Sequence, residues 1–149
     1  MDQDLLEEYA LKYDKKVLNS VKEAPIKLLH ICSAKGENPQ KNGGLMEKGW
    51  FKKYPVNMIN WNAHEYTWIN TGQKVYGDKF AICGGLDKDA TLRTGAPSNV
   101  EEEVRKAIQD MGDQGGFMLG PGCTVYQDMP IENYNAVGRA VIKYGQFKK

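Results

Sequence analysis

The feature that most constrains this chain is an alternation. Short, almost wholly apolar runs take turns with longer amphipathic stretches, and glycine or proline stands at the joints. Residues 26–32 make the first run, apolar except for Lys27 and His30, and residues 56–61, 80–83 and 117–119 repeat the theme. Runs that are apolar on both faces suit strands of a parallel sheet covered by helices. The stretches between them carry helical periodicity. Leu6, Ala10, Tyr13, Val17 and Val21 recur at helical spacing ahead of Pro25, which predicts an amphipathic first helix. Residues 45–54 predict a short helix, and residues 65–76 a longer one closed by Gly77. Ser98 and Glu101 form a capping box before the stripe Val100, Val104, Ala107, Ile108 and Met111, and Gly112 ends that helix. Asp128 and Pro130 open the last one, with Ile131, Tyr134, Val137, Val141 and Tyr144 expected inward and Gly145 behind them. Such strict alternation implies right-handed crossovers, hence an α/β fold of four parallel strands with flanking helices in one domain over residues 1–149. Four such units fit a small open sheet or half of an eight-stranded barrel, and periodicity does not choose between them.

Charge and composition narrow the function. Among 149 residues, 20 basic side chains face 19 acidic ones for a net charge of +1, which leaves no surplus of cations for binding nucleic acid. No apolar run approaches the roughly 18 residues of a membrane span, and the acidic start is unlike a signal peptide, so a cytoplasmic chain is expected. The cysteines are Cys32, Cys83 and Cys123. An odd number without an export signal points to metal binding, catalysis or burial rather than to a disulfide framework. His30 and Cys32, two apart on a strand, point to the same face, while Cys83 lies within a strand and reads as core. Residues 33–44 are rich in Gly, Asn and Lys and long enough for a lid or insertion. Asp87, closing the third strand, suits a carboxylate behind His30, a substrate contact or a plain turn residue. Asn60 and Trp61 end the second strand and either line a pocket or, for Trp61, pack under a helix. Tyr126 and Asp128 follow the last strand and could face the pocket, with Asp128 the better helix cap, and His64 falls in an expected surface loop. Gly84-Gly85 and Gly120-Pro121-Gly122 invite a phosphate-loop reading, but no Lys or Arg stands beside them.

Several segments resemble one known family. They are Pro25-Ile26-Lys27-Leu28-Leu29-His30-Ile31-Cys32, Ile59-Asn60-Trp61, Ala81-Ile82-Cys83-Gly84-Gly85-Leu86-Asp87, Thr94-Gly95-Ala96-Pro97, Gly120-Pro121-Gly122-Cys123 and Pro130-Ile131-Glu132-Asn133. In this order they resemble the late part of uroporphyrinogen decarboxylase and its methyltransferase relatives. The resemblance implies the last four strands of a (βα)8 barrel, without the earlier half that carries the family's Arg-rich motif. Decarboxylases commonly have Gly-His-Gly where this chain has Gly122-Cys123-Thr124. Corrinoid-dependent thiol methyltransferases of the superfamily use His-x-Cys and a later Cys as zinc ligands, which map onto His30, Cys32 and Cys123. The resemblance therefore implies a three-ligand zinc site with an open fourth position, Asp87 as a catalytic group, and Asn60, Trp61, Gly84, Gly85 and Gly122 around the cofactor. It further implies methyl transfer from a methyl-corrinoid, carried by a separate corrinoid protein, to a small-molecule thiol. Decarboxylation of a tetrapyrrole and a half-barrel without activity of its own are the alternatives. The unpaired outer strands of a half-barrel predict a homodimer or a complementing half.

Overall fold

The protein is described by a computed structural model over residues 3–32, 48–112 and 115–146. The expected loop at 33–44 and the first part of the helix expected at 45–54 lie outside these residues; the remainder of the latter is a short 3-10 turn, Trp50–Lys53.

Four strands, β1 (Leu28–Ile31), β2 (Met58–Trp61), β3 (Ala81–Leu86) and β4 (Phe117–Pro121), form one sheet in the order β1-β2-β3-β4 with every pair parallel. Four helical stretches accompany them: α1 over residues 3–20, α2 (Ile69–Tyr76), α3 (Pro97–Met111) and α4 (Ile131–Tyr144). The expected fold class is thus the observed one.

β3 runs on to Leu86, past its expected end at Cys83. Gly85 makes this possible: its φ is 104°, and a Cβ there would lie 2.9 Å from the Cβ of Ala107 on α3. The helix can settle this close only on bare backbone.

Packing is densest over the inner strands. Ile59, Trp61, Ile69, Tyr76, Phe80 and Ile82 form one core with Phe51, Tyr54 and the α1 leucines, and Leu86, Leu92, Val100, Val104, Met129 and Ala136 form a second between α3 and α4. Trp61 is 1% exposed, donates its Nε1–H to the carbonyl of Thr67 at 2.6 Å, and lies against Gly72 of α2, where any Cβ would collide with the indole. It packs under α2, the second of its two expected placements.

The outer helices depart from expectation. α1 is α-helical over Gln3–Leu6, π-helical over Glu7–Leu11 and α-helical again over Lys12–Ser20. A π turn widens the repeat, so Leu6 and Leu11, five apart, are both buried, while Tyr13, Val17 and Val21 of the expected stripe are exposed. On α4 the inward residues are Asn133, Ala136 and Ala140, and Ile131, Tyr134 and Val141 face outward. The amide of Asn133 causes this rotation: it is 1% exposed and donates to the carbonyls of Leu92 and Gly95, both at 2.9 Å. Only Val137 and Tyr144 of the expected inward set pack against the core.

Two caps also change. α3 begins at Pro97, which puts Ser98 inside its first turn; the side chain of Asn99 reaches back to accept the Ala96 N–H at 3.0 Å. Asp128 is not the cap of α4. Pro130 holds that place, and Asp128 pairs with Arg93 at 2.7 Å.

Candidate metal centre

His30 lies on β1, Cys32 directly follows it, and Cys123 lies just beyond β4. These belong to the two outer strands. In a flat sheet, three strand spacings would hold the ends of β1 and β4 about 14 Å apart. Yet one ligand atom from each of His30, Cys32 and Cys123 lies within 4.8 Å of the other two. The sheet therefore curls as a barrel wall does, and its carboxyl-terminal ends converge.

Glycine permits the last part of that convergence. A Cβ on Gly122 would lie 2.7 Å from the Cα of Asn62, so the loop after β4 can cross the loop after β2 only where it has no side chain. The Gly122 N–H donates to the carbonyl of Leu86 at 3.1 Å and pins the crossing to the end of β3.

The three residues open on a cavity of about 180 Å³ whose wall also includes Asn62, Glu65, Lys88, Gly122 and Tyr126. Lys88 donates to the hydroxyl of Tyr126 at 2.8 Å and pairs with Asp89 at 3.0 Å, contacts that hold its ammonium charged beyond the usual lysine range. Partial desolvation, the neighbouring Cys123 thiol and Glu65 hold the Cys32 thiol above its ordinary range, against the pull of Lys88. A bound dication would favour the Cys32 thiolate instead.

His30 contributes the most specific observation. Its Nδ1 meets the Oδ1 of Asn60 at 2.5 Å, and its Nε2 is buried with no hydrogen-bond partner among the described residues. A buried polar atom left unpaired costs about 1–3 kcal/mol unless something fills its lone pair. One imidazole nitrogen and two thiols form a donor set suited to zinc, with room for a further ligand from the cavity.

The other expected site residues fall elsewhere. Asp87 does not line the cavity; its carboxylate accepts the N–H groups of Asp89 and Ala90 at 2.8 and 3.0 Å and so closes the turn after β3. Gly84 and Gly85 face Ile69 and Ala107 on the helix side of β3. Cys83 is buried core. His64 is half-buried, with Nε2 3.1 Å from a Glu103 oxygen and its ring edge-on to Trp68. Burial pushes the Glu103 carboxyl up, against the Asp87 amide and His64, which favour its charge. Asn62, Glu65 and Lys88 escaped the motif reading, although each follows closely on a strand's carboxyl end, where barrel sites gather.

A curled parallel sheet flanked by helices, its carboxyl-terminal ends converging, is the architecture of a (βα) barrel wall. The chain belongs to the uroporphyrinogen decarboxylase (URO-D) family, whose profile it matches over residues 1–144. It is 30% identical over 131 residues to the methylcobamide:CoM methyltransferase MtbA of Methanosarcina acetivorans, an alignment covering 87% of this chain and 34% of that protein. It is also 30% identical over 70 residues to the uroporphyrinogen decarboxylase of Mannheimia succiniciproducens, covering 47% of this chain and 19% of that one. Among solved structures, a methyltransferase from Methanosarcina mazei superposes with a TM-score of 0.74 at 19% identity, over 98% of this chain and 39% of its own. That likeness shows the fold. The chain thus spans about a third of the length of the methyltransferase relative it matches.

Proposed function

We propose that this chain supplies the zinc-binding half of an enzyme that transfers a methyl group from a methyl-corrinoid to a small thiol. His30, Cys32 and Cys123 would hold the ion. When bound, zinc supplies Lewis acidity that lets a thiol in the open position bind as its thiolate. The chain's residues shape that encounter: His30 offers Nε2, the two cysteines give up their protons to the solvent, and Lys88 brings positive charge to the wall of the cavity. The corrinoid would come on a separate protein.

The observation that carries this reading is the convergence of the three donor atoms within 4.8 Å, with a buried His30 Nε2 that has no partner among the described residues. Cys123 supports the methyltransferase over the decarboxylase branch, because it stands where decarboxylases commonly carry histidine. Metal analysis of protein purified without chelator tests the proposal. About one zinc per chain is expected, falling to near none in Cys123→Ala. Wild type that stays metal-free after exposure to zinc would overturn it and leave decarboxylation as the reading to pursue.

We further propose that a second (βα)4 unit, a copy of this chain or a complementing half, closes the barrel. Leu28 and Met118 on the outer strands are exposed, as are Tyr9, Tyr13 and Val17 on α1 and Ile131 and Ile142 on α4. Open parallel edges flanked by apolar helix faces favour pairing. No helix among the described residues is long and apolar enough to cross a membrane, and the free cysteines suit a reducing cytoplasm. Sedimentation at micromolar concentration should give a dimer for the isolated chain, or a complex when the complementing half is present. A monomer in both cases would contradict this.

A further inference from the structure

We propose that Asn60 is a positioning residue that fixes the tautomer of His30 and so decides which imidazole nitrogen is free to bind a ligand. The argument begins in the register of the sheet. His30, Asn60 and Cys83 are direct partners across β1, β2 and β3, one row of the ladder. Asn60 is the buried centre of that row.

Its amide is tied at both ends. Nδ2 donates to the carbonyl of Cys83 at 2.8 Å and to that of Pro121 at 3.1 Å. A primary amide nitrogen has two protons, and carbonyl oxygens only accept, so these two contacts settle which end of the amide is nitrogen. Oδ1 must then be the atom facing His30 Nδ1 at 2.5 Å. An amide oxygen has no proton to give. The proton between them therefore belongs to Nδ1, and Nε2 keeps its lone pair.

The opposite tautomer would set two lone pairs against each other at that separation. It would also leave an Nε2–H buried without an acceptor, since nothing among the described residues pairs with that atom. One side chain thus transmits the positions of β3 and β4 to a ring on β1. The consequence for metal affinity rests on the zinc reading above, but the tautomer itself does not. A histidine whose other nitrogen donates to an oxygen is a better ligand, because the hydrogen bond orients the ring and raises its basicity. Asparagine supplies both the acceptor for His30 and the donors for the Cys83 and Pro121 carbonyls, whereas aspartate would supply the acceptor alone.

Long-range proton–nitrogen correlation spectra of metal-free, nitrogen-15-labelled protein test this at a pH where imidazole is neutral. The chain has only two histidines, so His64→Gln assigns the signals. Wild type is expected to carry its His30 proton on Nδ1. Asn60→Leu should release the ring to the Nε2–H form and weaken zinc binding about 10- to 100-fold. Asn60→Asp, which restores an acceptor, should recover the Nδ1–H signature and most of the affinity. An Nε2–H ring in wild type, or an unchanged tautomer in a folded Asn60→Leu protein, would overturn the proposal even if zinc binds. An Nδ1–H ring in wild type with no zinc uptake would support it while ending the zinc reading. If Asn60→Leu does not fold, the wild-type spectrum alone decides.

Discussion

The inner pair of strands and the outer pair are built on different terms. β2 and β3, with α2 and α3 over them, bury their large side chains within the chain: Trp61, Ile69, Tyr76, Ile82, Val100 and Val104 are all closed off from solvent. β1 and β4, with α1 and α4, leave Leu28, Met118, Val17 and Ile142 exposed. Yet the three candidate ligands come from the outer strands, and the inner ones supply their supports, Asn60 and the end of β3. The inner region holds the closed core, and the outer region holds the candidate ligands. Its unburied apolar faces are where the proposed second half would pack.

The largest expected effect lies in the inner core. Trp61→Ala should cost about 3–5 kcal/mol in urea unfolding, because it empties the space under α2. A loss below 1 kcal/mol would mean that the inner and outer regions are equally soft. Next in size is the response to metal. Zinc at a hundredfold excess over its Kd should stabilise wild type by about 2.7 kcal/mol, read as a rise in Tm. Cys123→Ala should abolish that rise while leaving the metal-free Tm near that of wild type.

Asn133→Ala should cost about 1–3 kcal/mol, since it leaves the Leu92 and Gly95 carbonyls without their donor. It would loosen α4 first, visible as faster hydrogen exchange there than in α3.

Alkali should act on the inner core through two tyrosines. Burial pushes Tyr76 up to about 12, and burial together with the Asp14 carboxylate does the same for Tyr54. The unfolded chain releases these protons near the ordinary value of about 10, so between the two values the folded state binds more protons than the unfolded one. Stability must then fall as pH rises through this window, by about 1.4 kcal/mol per unit for each group. Tyr76→Phe should flatten the slope measured by unfolding at stepped pH. The smallest effect on the isolated chain is expected at the outer faces. Val17→Ser or Ile142→Ser should change stability by about 0.5 kcal/mol or less, but should weaken association in sedimentation.

Legibility in the sequence follows the same division. The inner elements obeyed local rules: the α3 stripe of Val100, Val104, Ala107, Ile108 and Met111 is buried as its spacing requires. The outer helices did not. Val17 and Ile131 are apolar yet exposed, so a reading that sends apolar residues inward assigned the wrong faces. The π turn at Glu7–Leu11 and the buried Asn133 are tertiary features that no local period announces. In the site, His30, Cys32 and Cys123 were legible because residue chemistry and a family pattern pointed to them together. Trp61, Gly84 and Gly85, expected around the cofactor, lie on the helix side, because a strand's carboxyl end has a helix side as well as a mouth side, and Asp87 takes the turn role that is one of its expected alternatives. Asn60 was expected beside the cofactor, and its contact with His30 left no mark in the sequence. Its hydrogen bonds to His30, Cys83 and Pro121 exist only once four strands are in register.

X-ray absorption at the zinc edge of metal-loaded protein tests the central claim most directly. Two sulfurs at about 2.3 Å and one imidazole nitrogen at about 2.0 Å are expected, completed by a light atom from solvent that an added thiol replaces with a third sulfur. A shell of nitrogen and oxygen alone, or a spectrum that Cys123→Ala leaves unchanged, would contradict it.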